Sequence, residues 1–588
     1  MTAPDRPTAT RRPGALRRLL PAIAGHPRAF RGTLTANLLG QLGGLTTAVL
    51  GAALVGRAVA GVPTPVGVVT ALLGALVAIV TVATWWEMYV SHDLTYRILA
   101  DLRTRVYDAI TRIAPGGLGG RRSGDLATVA LSDIETLEWL FAHTIAQLLT
   151  ATVVLGVGTA LAAWIDPWLP AVVLPAAALI TVTPWLLRRH ADRHGAQVRA
   201  ATAELTADIV DTVHGLRELT VFGALERRRA HLAARTRQLG RTQRRNAARA
   251  GLETALIDAL VAAAGVSAVL VVLDGVRAGR LDVAAGPVAL VLAGAILGPA
   301  SQVALLLKEA GTLRAAADRV DALLQAPSPV PAPARPVPAP ADGEVIFDDV
   351  HFGYLPDRPV LRGVSFTLRP GETVALVGAS GVGKSTCAHL LLRYHDPGAG
   401  RITVGGVDLR DLDDADLRRT VTVVPQDVHL FPGSVADNIR LGRPDATDAE
   451  VRAAAEAAQL TPFLDALPAG LDTPTGERGA ALSGGQRARV AVARALLTRA
   501  PVLVLDEAAA NLDAATEADL AVALESTGDR RTTLVIAHRL STIMRADRVI
   551  ILDGGRVVAD DAPERLRGRG ALAAAVRGDA ATAAGGPA

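Results

Sequence analysis

The sequence predicts a two-part protein, an all-α half of six membrane-spanning helices followed by an α/β half. Three observations predict it: six long apolar stretches lie before residue 308, a proline-rich break follows them, and beyond the break short β-branched runs alternate with glycine turns. At 588 residues, 50% hydrophobic and 20% charged, the chain is too long for one compact domain and too apolar for an ordinary soluble enzyme. The net charge of +4 argues neither for a binder of nucleic acid nor for a disordered acidic chain. The one cysteine, Cys387, excludes an internal disulfide and a structural zinc cluster, which need several sulfur ligands.

Residues 1–30 read as a basic cytoplasmic N-terminus that stays in the mature protein, because no small-residue cleavage pattern follows a short apolar core. A hydrocarbon core of about 30 Å takes roughly 20 helical residues at about 1.5 Å each. Within residues 31–325, the stretches 32–56, 67–86, 139–165, 167–187 and 283–307 carry no Asp, Glu, Lys or Arg. A sixth, about 253–273, has Glu253 and Asp258 near its start, which read as ordinary solvated charge at a cytoplasmic helix end. Asp166-Pro167 leaves room only for a tight hairpin between the third and fourth spans.

Arginine sets the orientation. Seven lie in residues 1–31, six in 87–138 and fourteen in 188–250, against three in the alternate loops, so the N-terminus and the α/β half are cytoplasmic. The loops 87–138 and 188–250 keep helical periodicity, for example Ile209, Val213, Leu216, Leu219 and Phe222, which predicts helices that run well into the cytoplasm. Residues 326–342 form the linker, with seven prolines between Pro327 and Pro340 that predict stiff polyproline II. Residues 343–577 carry strand-like runs at Glu344–Phe347, Thr373–Val377, Thr420–Val424, Val502–Leu505 and Thr533–Ile536, and 578–588 read as a flexible tail.

The chemistry lies in the α/β half. Strand Thr373–Val377 runs into Gly378-Ala-Ser380-Gly381-Val-Gly383-Lys384-Ser385-Thr386, a phosphate-binding loop in strand-to-helix context. Its glycines let backbone N–H groups curl around phosphates, Lys384 reaches the β- and γ-phosphates of ATP, and Ser385 offers an oxygen to Mg²⁺. This makes the fold class an α/β P-loop nucleotide-binding domain. The apolar run Val502–Leu505 ends in Asp506-Glu507, two carboxylates whose burial is costly without a partner such as Mg²⁺. Asp506 would hold the metal through water, and Glu507 would activate the attacking water as general base. Leu482-Ser483-Gly484-Gly485-Gln486 is by itself a serine-capped, glycine-rich helix start and a second anion site.

Together these motifs resemble the ATP-binding cassette (ABC) family, whose signature is Leu-Ser-Gly-Gly-Gln, over about residues 344–577. The resemblance implies that Tyr354 stacks on adenine, that Gln426 senses Mg²⁺ and γ-phosphate, and that His538 contacts the γ-phosphate. It also implies a head-to-tail dimer in which Ser483, Gly484, Gly485 and Gln486 reach ATP held by the partner's phosphate loop. After the glutamate the family usually has Pro-Thr-Ser-Ala-Leu-Asp, whereas this chain has Ala508-Ala509-Ala510-Asn511-Leu512-Asp513, keeping the aspartate of that loop but not its proline and hydroxyls.

Six spans fused ahead of one cassette resemble an exporter-type half-transporter of the bacterial plasma membrane. In such proteins the loop tips, here near Gly117–Asp125 and Asp211–Phe222, lie in a cassette groove beside Gln426. Glu87 to Leu99, with Ser91-His92-Asp93, Gly215 to Ala224, and Val423 to Phe431 resemble the CydC subunit of the cytochrome bd assembly exporter. That resemblance implies a CydD-like heterodimer partner, thiol or haem cargo, and haem at His92; this chain has Met88 where the family commonly has arginine, and independently the i, i+4 spacing of Met88 and His92 can present two haem-type ligands on one helix face. The alternative is another half-transporter for a peptide, lipid, siderophore or natural product, working as a homodimer.

Overall fold

The computed structural model describes residues 14–118, 123–355, 357–506, 531–568 and 572. The chain divides into two compact units, Met1–Thr111 with Gly120–Ala326, and Arg112–Gly119 with Pro327–Ala588.

The first unit contains six helices long and apolar enough to cross a membrane: α1 Pro27–Val59, α2 Val66–Ile113, α3 Gly124–Ile165, α4 Trp168–His214, α5 Leu225–Arg277 and α6 Val283–Leu324. Their extent exceeds the apolar stretches because polar periodicity continues the helix into water. The 53 residues of α5 would extend roughly 80 Å, well over twice a hydrocarbon core. Only the third span changes character. It begins at Gly124 rather than 139 and carries π-helical turns at Val129–Asp133 and Leu140–Thr144. The hairpin between α3 and α4 forms as the sequence requires, with the Asp166 carboxylate accepting the Trp168 N–H at 2.9 Å.

Small residues let the helices approach closely. A Cβ at Gly56 would lie 2.0 Å from the Ala284 carbonyl oxygen, and one at Gly158 would lie 3.3 Å from the Ala295 methyl. Leu169, Val173, Ile180, Ala268, Leu292 and Ile296 fill the core between them. Two expectations fail here. Glu253 is not solvated but 4% exposed, because Arg249, one turn away, donates to its carboxylate at 2.7 Å. The run from Ile209 to Phe222 is not one helix: α4 stops at His214, Gly215 caps it, and a separate helix covers Leu216–Val221. Further buried carboxylates are also paired, Asp133 with Arg319 at 2.6 and 2.7 Å and Asp321 with Arg18.

Among the described residues the second unit holds ten strands: β1 Val345–Phe352, β2 Leu361–Leu368, β3 Thr373–Val377, β4 Ala399–Val404, β5 Val407–Asp408, β6 Val421–Val424, β7 Val502–Asp506, β8 Thr532–Ile536, β9 Arg548–Asp553 and β10 Arg556–Asp561. One sheet has order β2-β1-β4-β5 and is antiparallel throughout. The other has order β10-β9-β3-β8-β7-β6, parallel except for the β10–β9 hairpin. Its central strands read as continuous apolar runs because both faces are covered. One core joins the two sheets, with Phe347 and Phe366 stacked at 4.4 Å between centroids beside Leu376, Leu391 and Val504.

The proline-rich linker is extended and is held along the cassette. The Val337 N–H donates to the Asp411 carbonyl at 2.8 Å, and the Arg393 guanidinium donates to the Pro331 carbonyl at 2.9 Å. The segment Arg112–Gly119, distant in sequence, belongs to the same unit. The Ser328 hydroxyl donates to the Arg112 carbonyl at 3.0 Å, and Gly116 sits so close to Tyr394 that a Cβ would lie 2.0 Å from its carbonyl oxygen.

Candidate nucleotide-binding site

The parallel registers assemble the site. Leu376 of β3 pairs with Ile536 of β8, Asp506 of β7 also pairs with Ile536, and Val424 of β6 pairs with Leu505. The chain therefore delivers the 378–386 loop, Asp506, His538 and Gln426 to one carboxyl edge of one sheet, where open α/β sheets bind ligands. Gln426 and His538 are exposed there, each two residues beyond its strand.

The phosphate loop is shaped by close approach. A Cβ at Gly378 would lie 2.3 Å from the Leu552 carbonyl oxygen. Gly383 has φ 112° and a Cβ there would also strike Leu361 at 2.6 Å, so only glycine fits before helix α7, Lys384–Leu391. Lys384 is 6% exposed, and its ammonium donates to the Gly378 and Ala379 carbonyls at 2.7 and 3.0 Å. A cation is thus held inside a loop whose backbone can turn N–H groups to an anion. The Ser385 hydroxyl lies 3.4 Å from the Asp506 carboxylate, so two hard oxygen donors meet at the loop's rim. Among the described residues no cluster of three or more metal-ligating side chains exists. A hydroxyl and one carboxylate suit Mg²⁺, which keeps most of its waters and takes phosphate oxygens. Ser380 and Gly381 are exposed on the outer side of the loop, and Thr386 is buried in the first turn of α7. Cys387 is fully buried behind it, its thiol pushed up to about 12 by desolvation and therefore inert.

Tyr354 is half exposed and presents its ring beside the loop. Phe352 meets it edge-on at 5.0 Å and His395 at 5.4 Å, while its hydroxyl lies 3.1 Å from Nδ1 of His389. Sequence reasoning missed His389, since nothing marks a lone histidine inside a helix. Burial holds its imidazole below the usual histidine value although the Asp506 carboxylate pulls it up, so at pH 7 it is neutral and Nδ1 can accept the tyrosine proton. Tyr354→Ala is expected to raise KM for ATP about tenfold with kcat within a factor of two, since a base–aromatic stack is worth roughly 1–3 kcal/mol. Tyr354→Phe should keep most of the affinity; steady-state kinetics on both variants checks this.

The signature segment opens helix α8, Gly484–Leu497. Ser483 caps it, accepting the Gln486 N–H at 3.3 Å, while the Gln486 side chain accepts the Ser483 N–H at 2.8 Å. The cap leaves Ser483 exposed with Gly484 and Gly485 half-exposed behind it. Glu507 and Asp513 lie outside the described residues, as does the segment Ala508–Leu512 between them.

The His92 region sits in the first unit. Nδ1 of His92 lies 2.8 Å from the Met88 carbonyl and Nε2 lies 3.9 Å from the Glu138 carboxylate. Met88 and His92 point the same way from one helix, so they cannot bind opposite faces of one haem, and Nε2 faces a carboxylate. The pair does not fit a two-ligand haem site.

Residues 34–299 match the ABC transporter transmembrane region and residues 361–510 match the ABC transporter family's ATP-binding segment. The chain is 36% identical over 497 residues to the ATP-dependent lipid A-core flippase of Thiobacillus denitrificans, covering 83% of this chain and 84% of that protein. It is 51% identical over 227 residues to the beta-(1→2)glucan export ATP-binding/permease protein NdvA of Rhodopseudomonas palustris, covering 39% of this chain and 38% of that one. A solved bacterial Atm1-family ABC exporter with ATP bound superimposes with a TM-score of 0.83 at 28% identity, over 96% of this chain and 100% of that chain. The similarities to the flippase and to the Atm1-family exporter span both halves, and such half-transporters work as dimers. The chain therefore belongs to the ABC transporters, as an exporter-type half-transporter of the plasma membrane whose six spanning helices are fused to a cytoplasmic, ATP-hydrolysing cassette.

Proposed function

We propose that the chain works as a homodimer and exports a lipid-like amphiphile. The observation that carries this reading is similarity across both domains to a flippase of lipid A-core, since similarity confined to the cassette would speak only of ATP. Each ATP would lie between Tyr354, the 378–386 loop and Ser385 of one chain and the Ser483–Gln486 helix start of the other. Bound Mg²⁺ would supply charge neutralisation to the phosphates. Within that sandwich Gln426 and His538 would contact the γ-phosphate side, Ser385 and Asp506 would hold Mg²⁺, and Glu507 would take the proton of the attacking water. Closure of two cassettes on ATP then biases the helices between inward-open and outward-open states, and hydrolysis resets them.

A second reading keeps the CydC-like subunit with a CydD-like partner and thiol or haem as cargo. It is favoured by the contact of His92, the histidine that the CydC resemblance singles out, with the Glu138 carboxylate at 3.9 Å. Turnover by the purified chain alone in nanodiscs separates the two. The first reading expects ATPase activity without a second gene product, stimulated severalfold by a lipid A-type amphiphile and indifferent to glutathione and haem. Activity that appears only with a second chain, or responds only to glutathione or haem, overturns it in favour of the second.

A further inference from the structure

The arginines of the α4–α5 hairpin fall into two sets. In the first, Arg228 and Arg235 meet Asp208 at 3.1 and 3.4 Å, Arg235 also meets Glu204 at 2.8 Å, and Arg249 meets Glu253 at 2.7 Å. The second set is exposed and, among the described residues, has no carboxylate partner; Arg199, Arg217, Arg227, Arg237 and Arg241 lie along the hairpin away from the membrane, and Arg188, Arg189, Arg193, Arg244 and Arg245 lie at its membrane end. The paired set fixes the register of the two helices. Position 204 stands opposite 235, so stepping toward the membrane brings Arg193 level with Arg244 and Arg245, although about fifty residues separate them in sequence.

Arg188 and Arg189 follow directly on the uncharged stretch 167–187. The Arg188 guanidinium lies 5.0 Å over the exposed ring of Trp185, an aromatic of the kind that marks the bilayer interface. From position 188 to the level of Arg244 the five cations cover roughly 10 Å along the helix axis, comparable to the roughly 5–8 Å of polar headgroup layer in one leaflet. The one acid between Arg188 and Arg199, Asp192, lies against Gly311 of α6, within 3.2 Å of the space a Cβ there would fill. The belt therefore sets five cations against one acid, Asp192, and has the depth of a phosphate layer.

We infer that this belt binds the phosphates of anionic phospholipid headgroups in the cytoplasmic leaflet, coupling the exporter's activity to the charge of the bilayer around it. The partner is bulk membrane lipid, distinct from any cargo. Guanidinium forks suit phosphate oxygens, and juxtamembrane cations attract anionic leaflets with a strength that adds up over several charges.

The test uses the full chain in nanodiscs of phosphatidylcholine with increasing phosphatidylglycerol. Turnover and the amount of phosphatidylglycerol retained in native mass spectrometry should both rise with anionic fraction. The variant R188Q/R189Q/R244Q/R245Q should lose on the order of tenfold in retained lipid and lose the rise in turnover, while matching wild type in pure phosphatidylcholine. The corresponding four-lysine variant should keep most of the effect, and free inorganic phosphate should not substitute for the lipid. Unchanged phosphatidylglycerol retention in the glutamine variant overturns the inference. So does a glutamine variant that loses dimerisation, which would make the belt an interface between copies, or one that loses stimulation by a lipid A-type amphiphile along with the phosphatidylglycerol response, which would place it on the cargo path.

Discussion

Lys384→Ala is expected to abolish ATP-dependent activity, with turnover falling by about 10²–10³-fold and nucleotide affinity falling with it. The ammonium is 6% exposed and is held by the Gly378 and Ala379 carbonyls inside the loop that phosphates would enter. Bound ATP would exchange those neutral acceptors for charged ones, and hydrogen bonds to charged groups are worth roughly 1.5–3 kcal/mol each. Removing the ammonium leaves two carbonyls short of a donor, a cost of about 1 kcal/mol to the fold, so the variant should melt within a few degrees of wild type. Binding of a fluorescent ATP analogue, read beside the melting curve, checks both halves. Wild-type affinity in a folded variant would show that the phosphates bind elsewhere.

Glu507→Gln is expected to separate binding from hydrolysis. The amide keeps the shape of the side chain and loses its basicity, so turnover should drop about 10²–10⁴-fold while ATP affinity stays near wild type. With ATP bound and not consumed, the two cassettes should remain closed, and size-exclusion or cross-linking through the Ser483 segment should report a stable closed pair. The assignment rests on the sequence Asp506-Glu507 and on the strand β7, which ends at Asp506 on the same sheet edge as the phosphate loop. Unchanged hydrolysis in a purified dimer would remove Glu507 from the role of base.

The parts of the site that were legible in the sequence are those with local causes. The glycines of the 378–386 loop answer to backbone conformation, Ser483 and Gln486 to a cap closed within four residues, and the apolar spans to the length of a bilayer. Strand ends shifted by small amounts, as when β1 runs to Phe352 rather than stopping at Phe347. What stayed illegible depends on residues brought together from afar or on pairing within a crowded helix. His389 matters only because Tyr354 folds over it, and Glu253 is buried only because Arg249 neutralises it. The linker's composition predicts a stiff spacer, yet hydrogen bonds to Asp411 and from Arg393 lay it against the cassette, which no property of proline specifies.

The seating of Gly116 against Tyr394 bears on how such proteins exchange parts over evolution. The nucleotide-binding unit is discontinuous in the gene: one piece encodes Arg112–Gly119 and another, more than two hundred residues later, begins at Pro327. A recombination event that replaced everything after the linker would import a new Tyr394 surface while keeping the old turn, and where one added Cβ would already come within 2.0 Å of a carbonyl oxygen the two would rarely match. Cassettes of this architecture are therefore poor modules for shuffling by one crossover. An excised cassette starting at Pro327 would carry the same defect, a socket with its plug left behind in the other half of the chain.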